Sequence, residues 1–265
     1  MIISIKGIGC WGDGLHGWTE TAAILRGDAT HSPDSLKLPP PASLPANERR
    51  RASQIIRLAV LCAEEACQQG GFQAVNLPAV FASSNGDGFI MNRILDSLST
   101  PDGAVSPSLF HNSVHNAPAG YWMIGHKSHQ PAVSLGLHDE TLAASLLKAA
   151  AEAHVEASPV LFCLYDAPMP GSLGSARHTE HSFGCAFILT PGHESGIRLA
   201  LSLKEGPCET DLPPSLPEGV TGIARHNPAG QVLPLLQAIA RRQDRSFSLP
   251  YGANHVTIDL THAHP

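Results

Sequence analysis

His138, Asp139 and Glu140 form a compact ionisable cluster between an apolar run and an Ala/Leu-rich stretch. An imidazole beside two carboxylates has the makings of a general base, because its neighbours can orient the ring and stabilise its charged form. The same residues also fit a polar loop with Asp139 or Glu140 placed favourably at a helix N-terminus. Other stretches offer other chemistry. SSNGDG at 83–88 stands between a strand-like and a helical run, where helix-start amides attract phosphate. It has neither GxGxxG spacing nor a Lys-Ser/Thr pair, so a tight turn is the better account. Fifteen histidines raise the question of metal. His111 and His115 are four apart and His126 and His129 three apart, but Pro118 lies close to the first pair. No HExxH occurs and no acidic residue stands at ligand spacing. The terminal THAHP is at most a weak metal binder. No metal and no cofactor is expected. No GxSxG elbow supports a serine triad.

The elements that would position these residues follow from periodicity. Ile2–Cys10 reads as a buried strand, and Trp18–Arg26 as a short helix closed by Gly27. Residues 31–46 carry five prolines and must be loop. Asn47–Gly70 is expected as one helix with Arg49, Arg50 and Arg51 crowding its start, against the macrodipole. Pro78–Ser83, Ala132–Leu137 and Pro159–Tyr165 read as strands. Phe89–Ser99 and Thr141–Glu156 read as helices, and Tyr121–Gly125 falls within a short one. Phe183–Thr190 and Gly196–Leu203 suggest an antiparallel pair, and 204–228 a loop. Gly230–Arg242 reads as a helix, and Ser246–Leu249 and His255–Leu260 as short strands. Alternating strand and helix implies an α/β fold of one domain over 1–265, with a mostly parallel central sheet and further antiparallel strands toward the C-terminus.

Of the 265 residues 43% are hydrophobic and only 15% charged, where about 25% charged is usual. A chain so poor in charge is expected to cover part of its surface. No run approaches the roughly 20 apolar residues of a membrane span, so a protein partner is favoured over a bilayer. The net charge of −6 argues against nucleic acid. The first residues do not read as a signal peptide. Cys10, Cys62, Cys67, Cys163, Cys185 and Cys208 form no CxxC. They are expected to be reduced, mostly buried thiols of a cytoplasmic protein.

Three segments in order, NERRRASQIIRLAVLCAEEA, VFASSNGDG and SPSLFHNSVHNAPAGYWMIGHKSHQPAVSL, precede a small-residue helix. Together they resemble the N-terminal half of a β-ketoacyl synthase of the thiolase superfamily over about residues 2–200. They are closer still to the short chain-length factors found beside ketosynthases in bacterial aryl polyene and related type II fatty acid or polyketide clusters. The resemblance implies a truncated thiolase-like fold. In an active ketosynthase a cysteine thiolate in a segment like VDTACASSLAAI attacks the acyl thioester. The matching segment here is VSLGLHDETLAASLL, which puts His138, or Leu137 if the turn shifts by one, at that position. No cysteine lies between Cys67 and Cys163, and no counterpart of the family's two later histidine motifs is found.

The resemblance therefore implies a non-catalytic subunit that pairs with a catalytic β-ketoacyl synthase and helps wall the acyl-chain pocket. Its interface residues would be Phe110, Asn112, Ser113, Val114, His115, Asn116, Tyr121 and Trp122. The strand before His138 would pair across the interface. Arg49, Arg50 and Arg51 are candidates for contact with an acyl carrier protein. Two alternatives stay open: an acyltransferase or thioester hydrolase using His138 with Asp139 or Glu140, and a homodimeric acyl-binding module.

Overall fold

The computed structural model describes residues 1–192, 196–208 and 216–262. In chain order the elements are β1 (Ile2–Gly12), β2 (Leu15–His16), α1 (Trp18–Arg26), α2 (Ala46–Arg51), α3 (Gln54–Gly70), β3 (Ala79–Ala82) and α4 (Gly88–Leu98). There follow α5 (Pro107–Asn112), α6 (Ala117–His126), β4 (Ala132–Leu135), α7 (Thr141–Val155), β5 (Val160–Asp166) and α8 (Gly171–Ala176). The last are β6 (Phe183–Pro191), β7 (Ile197–Glu205), α9 (Glu218–His226), α10 (Leu233–Ala240), β8 (Arg245–Tyr251) and β9 (Asn254–His262). Short 3-10 turns occupy 74–76, 138–140 and 228–232.

The strands form one mixed sheet in the order β4-β3-β5-β6-β1-β7-β9-β8, with β2 paired to β1. β3 runs parallel to both β4 and β5. These are the strands whose helical crossovers the sequence alternation anticipates. The antiparallel part begins at β5/β6 and takes in β1 as well as the later strands. β6 and β7, expected to pair with each other, instead flank β1 on its two edges. β1 is buried along nearly its whole length, so its amides on both edges need strand partners.

Both faces of the sheet are covered. Val80, Ala82, Phe162, Leu164, Phe187 and Leu189 face a core shared with α7 and α10. Phe81, Leu161, Cys163, Tyr165, Ala186 and Ile188 face one shared with α3 and α6. α3 lies directly over β1. A Cβ at Gly7 or Gly9 would collide with the carbonyls of Ala66 and Cys62, so glycine there sets the helix-to-sheet distance.

The expected helix over 47–70 is two helices. Ala52 and Ser53 are extended, and the Ser53 hydroxyl accepts from Ile56 N at 3.4 Å to start α3. Arg57 donates to the Ala52 and Arg49 carbonyls (3.0 and 3.2 Å) and so closes α2. Arg49–Arg51 thus occupy the last turn of a short helix, where the macrodipole favours cations. The 204–228 stretch, read as loop, contains α9. Its Val220, Ile223 and Ala224 are buried at helical spacing, masked in the sequence by Gly219 and Gly222. The helix expected from Gly230 begins at Leu233, after a 3-10 turn. The last three residues of THAHP lie outside the described residues. No helix among the described residues is long and apolar enough to cross a membrane.

Candidate functional site: the His138 turn beside an apolar face

β4 leads into Gly136, Leu137 and His138. His138 has φ 48°, a left-handed conformation unusual for a residue with a β-carbon. Thr141 holds the turn: its hydroxyl accepts from Leu137 N (2.8 Å) and donates to His138 O (2.7 Å). The turn runs through the 138–140 3-10 segment into the buried, small-residue helix α7. Three segments meet here. His115 Nε2 lies 2.9 Å from the Ser83 carbonyl, and a Cβ on Gly136 would stand 2.7 Å from that carbonyl and 2.9 Å from the His115 ring. The SSNGDG loop, the SVHN loop and the His138 turn therefore pack as one unit.

The His138 side chain is 72% exposed, with Nδ1 3.2 Å from an Asp139 oxygen. The other Asp139 oxygen accepts from Arg177 Nη2. The Arg177 guanidinium keeps the Asp139 carboxyl below the usual carboxylate range, against a smaller opposing effect of burial. Glu140 accepts from Gly252 N (2.9 Å) at the tip of the β8–β9 hairpin. Both acids are thus engaged with other parts of the chain. Arg177 also donates to Asn85 Oδ1 (3.0 Å) and Ser84 Oγ (2.8 Å). No local signal marked Arg177 in the sequence.

SSNGDG does not offer its amides to a ligand. Asp166, fully buried at the end of β5, accepts from Ser83 Oγ (2.7 Å), Asn85 N (2.9 Å) and Ser84 N (3.2 Å). Asp87 caps α4 by accepting from Ile90 N at 3.0 Å. The chain supplies its own anion where phosphate would bind. The sequence clue was an acid closing the apolar run PVLFCLYD. Burial raises the Asp166 pKa to about 6, against the lowering effect of these hydrogen bonds. A carboxyl raised from 3.8 to about 6 in the folded state contributes stability present below pH 4 and lost as pH rises through 6, up to about 3 kcal/mol. Asp166→Asn should therefore flatten the pH dependence of urea unfolding between pH 4.5 and 7 relative to the natural chain. Equal slopes would contradict the assignment; taking the difference cancels other titrating groups.

The residues expected at the interface divide into two sets. Phe110, Val114 and Ile124 are exposed (67%, 48% and 50%). They line a groove of about 450 Å³ between α5 and α6. His115 and Asn116 are exposed and Ser113 half-buried. Tyr121 and Trp122, by contrast, are 2% and 1% exposed and belong to this chain's own core. Tyr121 donates to buried Asn112 (3.0 Å), which in turn donates to Arg51 O (2.9 Å). Asn112 and Trp122 lie beneath the surface, and Tyr121 forms part of the groove's floor. α4, packed beside α5, carries further exposed apolar residues, Met91, Leu95 and Leu98 on one of its faces and Phe89 on another. α4 has a polar face of Asn92, Arg93, Asp96 and Ser97, and its remaining apolar surface is wider than Gly88, Ile90 and Ile94, the residues it buries. β4 is an edge strand of the sheet.

Arg49 donates to the Ala42 and Leu44 carbonyls, pinning the proline-rich loop, whereas Arg50 and Arg51 remain exposed. The paired histidines are spent separately. His126 stacks on Trp122 (4.1 Å) and lies 3.6 Å from Glu64, and burial lowers its pKa. One His/Glu/His grouping that the sequence did not single out lies elsewhere, at His178, Glu180 and His226. Five of the six cysteines are buried and all six are free. Burial pushes the Cys67 thiol up to about 12 and those of Cys10, Cys62, Cys163 and Cys185 far above the usual range, so none of these five is a ready nucleophile.

A mixed sheet covered on both faces, with a left-handed turn leading into a buried small-residue helix, is the fold of ketosynthases. The chain superposes on the structure titled ketosynthase (ApeO) in complex with its chain length factor (ApeC) from Xenorhabdus doucetiae, with TM-score 0.73 and 22% identity over 98% of this chain and 99% of that one. It superposes on the ishigamide ketosynthase/chain length factor with TM-score 0.68 and 12% identity over the whole of both chains. A type II polyketide ketosynthase complex with its acyl-carrier protein, AntDE:AntF, gives 0.73 and 8% over 99% of each chain. No curated protein sequence matches. The family model for the beta-ketoacyl synthase N-terminal domain matches residues 18–252, well past the residue-200 limit of the resemblance seen in sequence. The chain belongs to the beta-ketoacyl synthase family.

Proposed function

We propose that this chain is a chain-length-factor-like subunit, non-catalytic in itself, that pairs with a catalytic β-ketoacyl-ACP synthase and helps shape the pocket receiving the growing acyl chain. The observation that carries the reading is a juxtaposition. The turn after β4, which the resemblance matches to the family's nucleophile segment, holds an exposed imidazole and no thiol, while neighbouring α4, α5 and α6 carry exposed apolar side chains. An acyl-imidazole open to water hydrolyses, so His138 is a poor carrier of an acyl intermediate. The exposed apolar side is the kind of surface that a stable partner covers. The relatives whose titles name ketosynthases with chain length factors support the same partnership. The aryl polyene setting, the cytoplasmic location and contact of Arg50 or Arg51 with an acyl carrier protein belong to this reading. Free, buried thiols accord with a reducing compartment.

Co-expression with a catalytic β-ketoacyl-ACP synthase of the same organism, followed by size-exclusion chromatography and a product assay, tests the proposal. A 1:1 complex is expected, and His138→Ala within it should leave turnover within about twofold, an effect below about 0.4 kcal/mol. Loss of turnover with an intact complex would turn the assignment toward an acyl transferase or hydrolase using His138. A stable homodimer indifferent to the ketosynthase would favour a homodimeric acyl-binding module.

A further inference from the structure

We propose that His178, Glu180 and His226 form a binding site for one divalent transition ion of the zinc type. One ring nitrogen from each histidine and one Glu180 oxygen all lie within 4.8 Å of one another. His178 Nε2 and Glu180 Oε1 are 2.9 Å apart. The two rings meet edge to face, centroids 5.6 Å apart at 86°, so they do not stack flat against each other. Ligand atoms around a tetrahedral zinc ion, bonded at about 2.0–2.1 Å, stand roughly 3.3 Å apart. Small side-chain rotations close that shell. Two imidazoles and a carboxylate suit zinc and its neighbours better than calcium or magnesium, which prefer oxygen.

The backbone holds these ligands in place independently of any ion. Glu180 N donates to the His226 carbonyl (3.1 Å), joining the two ligand segments directly. Buried Thr179, between His178 and Glu180, accepts from Asn85 Nδ2 (2.9 Å). Asn227, next to His226 and 2% exposed, donates to His181 O (2.7 Å) and Asp166 O (3.0 Å). Side-chain rotation alone therefore has to be ordered on binding, which lowers its entropic cost. The ion takes the place of the hydrogen between His178 Nε2 and Glu180 Oε1, so His178 binds it as neutral imidazole with its one proton on Nδ1. His178 and Glu180 are exposed (64% and 48%), so the remaining coordination position is open to water. A bound ion would staple the 177–182 loop to the end of α9. That loop begins with Arg177, which grips Asp139 and the SSNGDG turn.

The test is isothermal titration of zinc chloride into the full chain after chelator treatment, with thermal unfolding followed in parallel. One site per chain is expected to dominate. His226→Ala and Glu180→Gln should each weaken it about tenfold or more, while His154→Ala and His264→Ala leave it unchanged. Zinc should raise the unfolding midpoint of the natural chain and not that of His226→Ala. Zinc binding by both His226→Ala and Glu180→Gln with undiminished affinity overturns the proposal, as does loss of the strong site in His264→Ala. Glu180→Gln alters one surface atom and keeps the proposal testable should His226→Ala fold poorly.

Discussion

Phe110→Asp is expected to abolish the proposed complex with a ketosynthase while leaving this chain folded. Phe110 is 67% exposed, so its ring contributes little to the chain's own core. It borders the groove with Val114 and Ile124, and neighbouring α4 carries exposed Met91, Leu95 and Leu98. An aromatic anchor at the centre of an interface typically contributes 2 kcal/mol or more, and burying an unpaired carboxylate in its place adds several more. Together these weaken association by at least about 100-fold. Size-exclusion chromatography of the co-expressed pair and surface plasmon resonance read the loss. Far-UV circular dichroism and a urea midpoint close to the natural chain's show that the fold is intact. A complex of undiminished affinity would place the interface on another face.

Trp122→Ala is expected to act on folding instead, destabilising the chain by about 3–5 kcal/mol. Trp122 is 1% exposed, its ring lies 6.1 Å from that of Phe81 on the sheet and 4.1 Å from that of His126, and the α3 side of the core surrounds it. Removing the indole leaves a cavity between α6 and β3 that close-packed neighbours fill only in part. Since domains are stable by only about 5–15 kcal/mol, the variant should unfold at markedly lower urea and be poorly soluble. Equilibrium urea unfolding measures the change, and a shift below about 1 kcal/mol would mean that the indole is not packed as described. Any loss of complex in this variant follows from loss of fold. Charged substitution at Trp122 therefore does not probe the interface; substitution at Phe110 does.

The two residues illustrate what a sequence encodes. SVHNAPAGYW contains the start of α6, because its turn and proline constrain a helix start whatever surrounds it. Which of its side chains point outward was decided by how α6 docks on β3 and α3. Burial there takes Tyr121 and Trp122 inward and leaves Val114 and Ile124 outside.

Periodicity, glycines and prolines determined most elements of this chain and the family resemblance, because these depend on residue type and short-range spacing. The tertiary structure alone decided the rest. It placed β1 between β6 and β7 and broke the arginine-bearing helix at Ser53. It filled the SSNGDG turn with Asp166, clamped Asp139 with Arg177, and brought His178 and Glu180 against His226. Each of these depends on contacts between residues far apart in the chain, whose geometry is set by packing and backbone hydrogen bonding across the sheet rather than by any local preference.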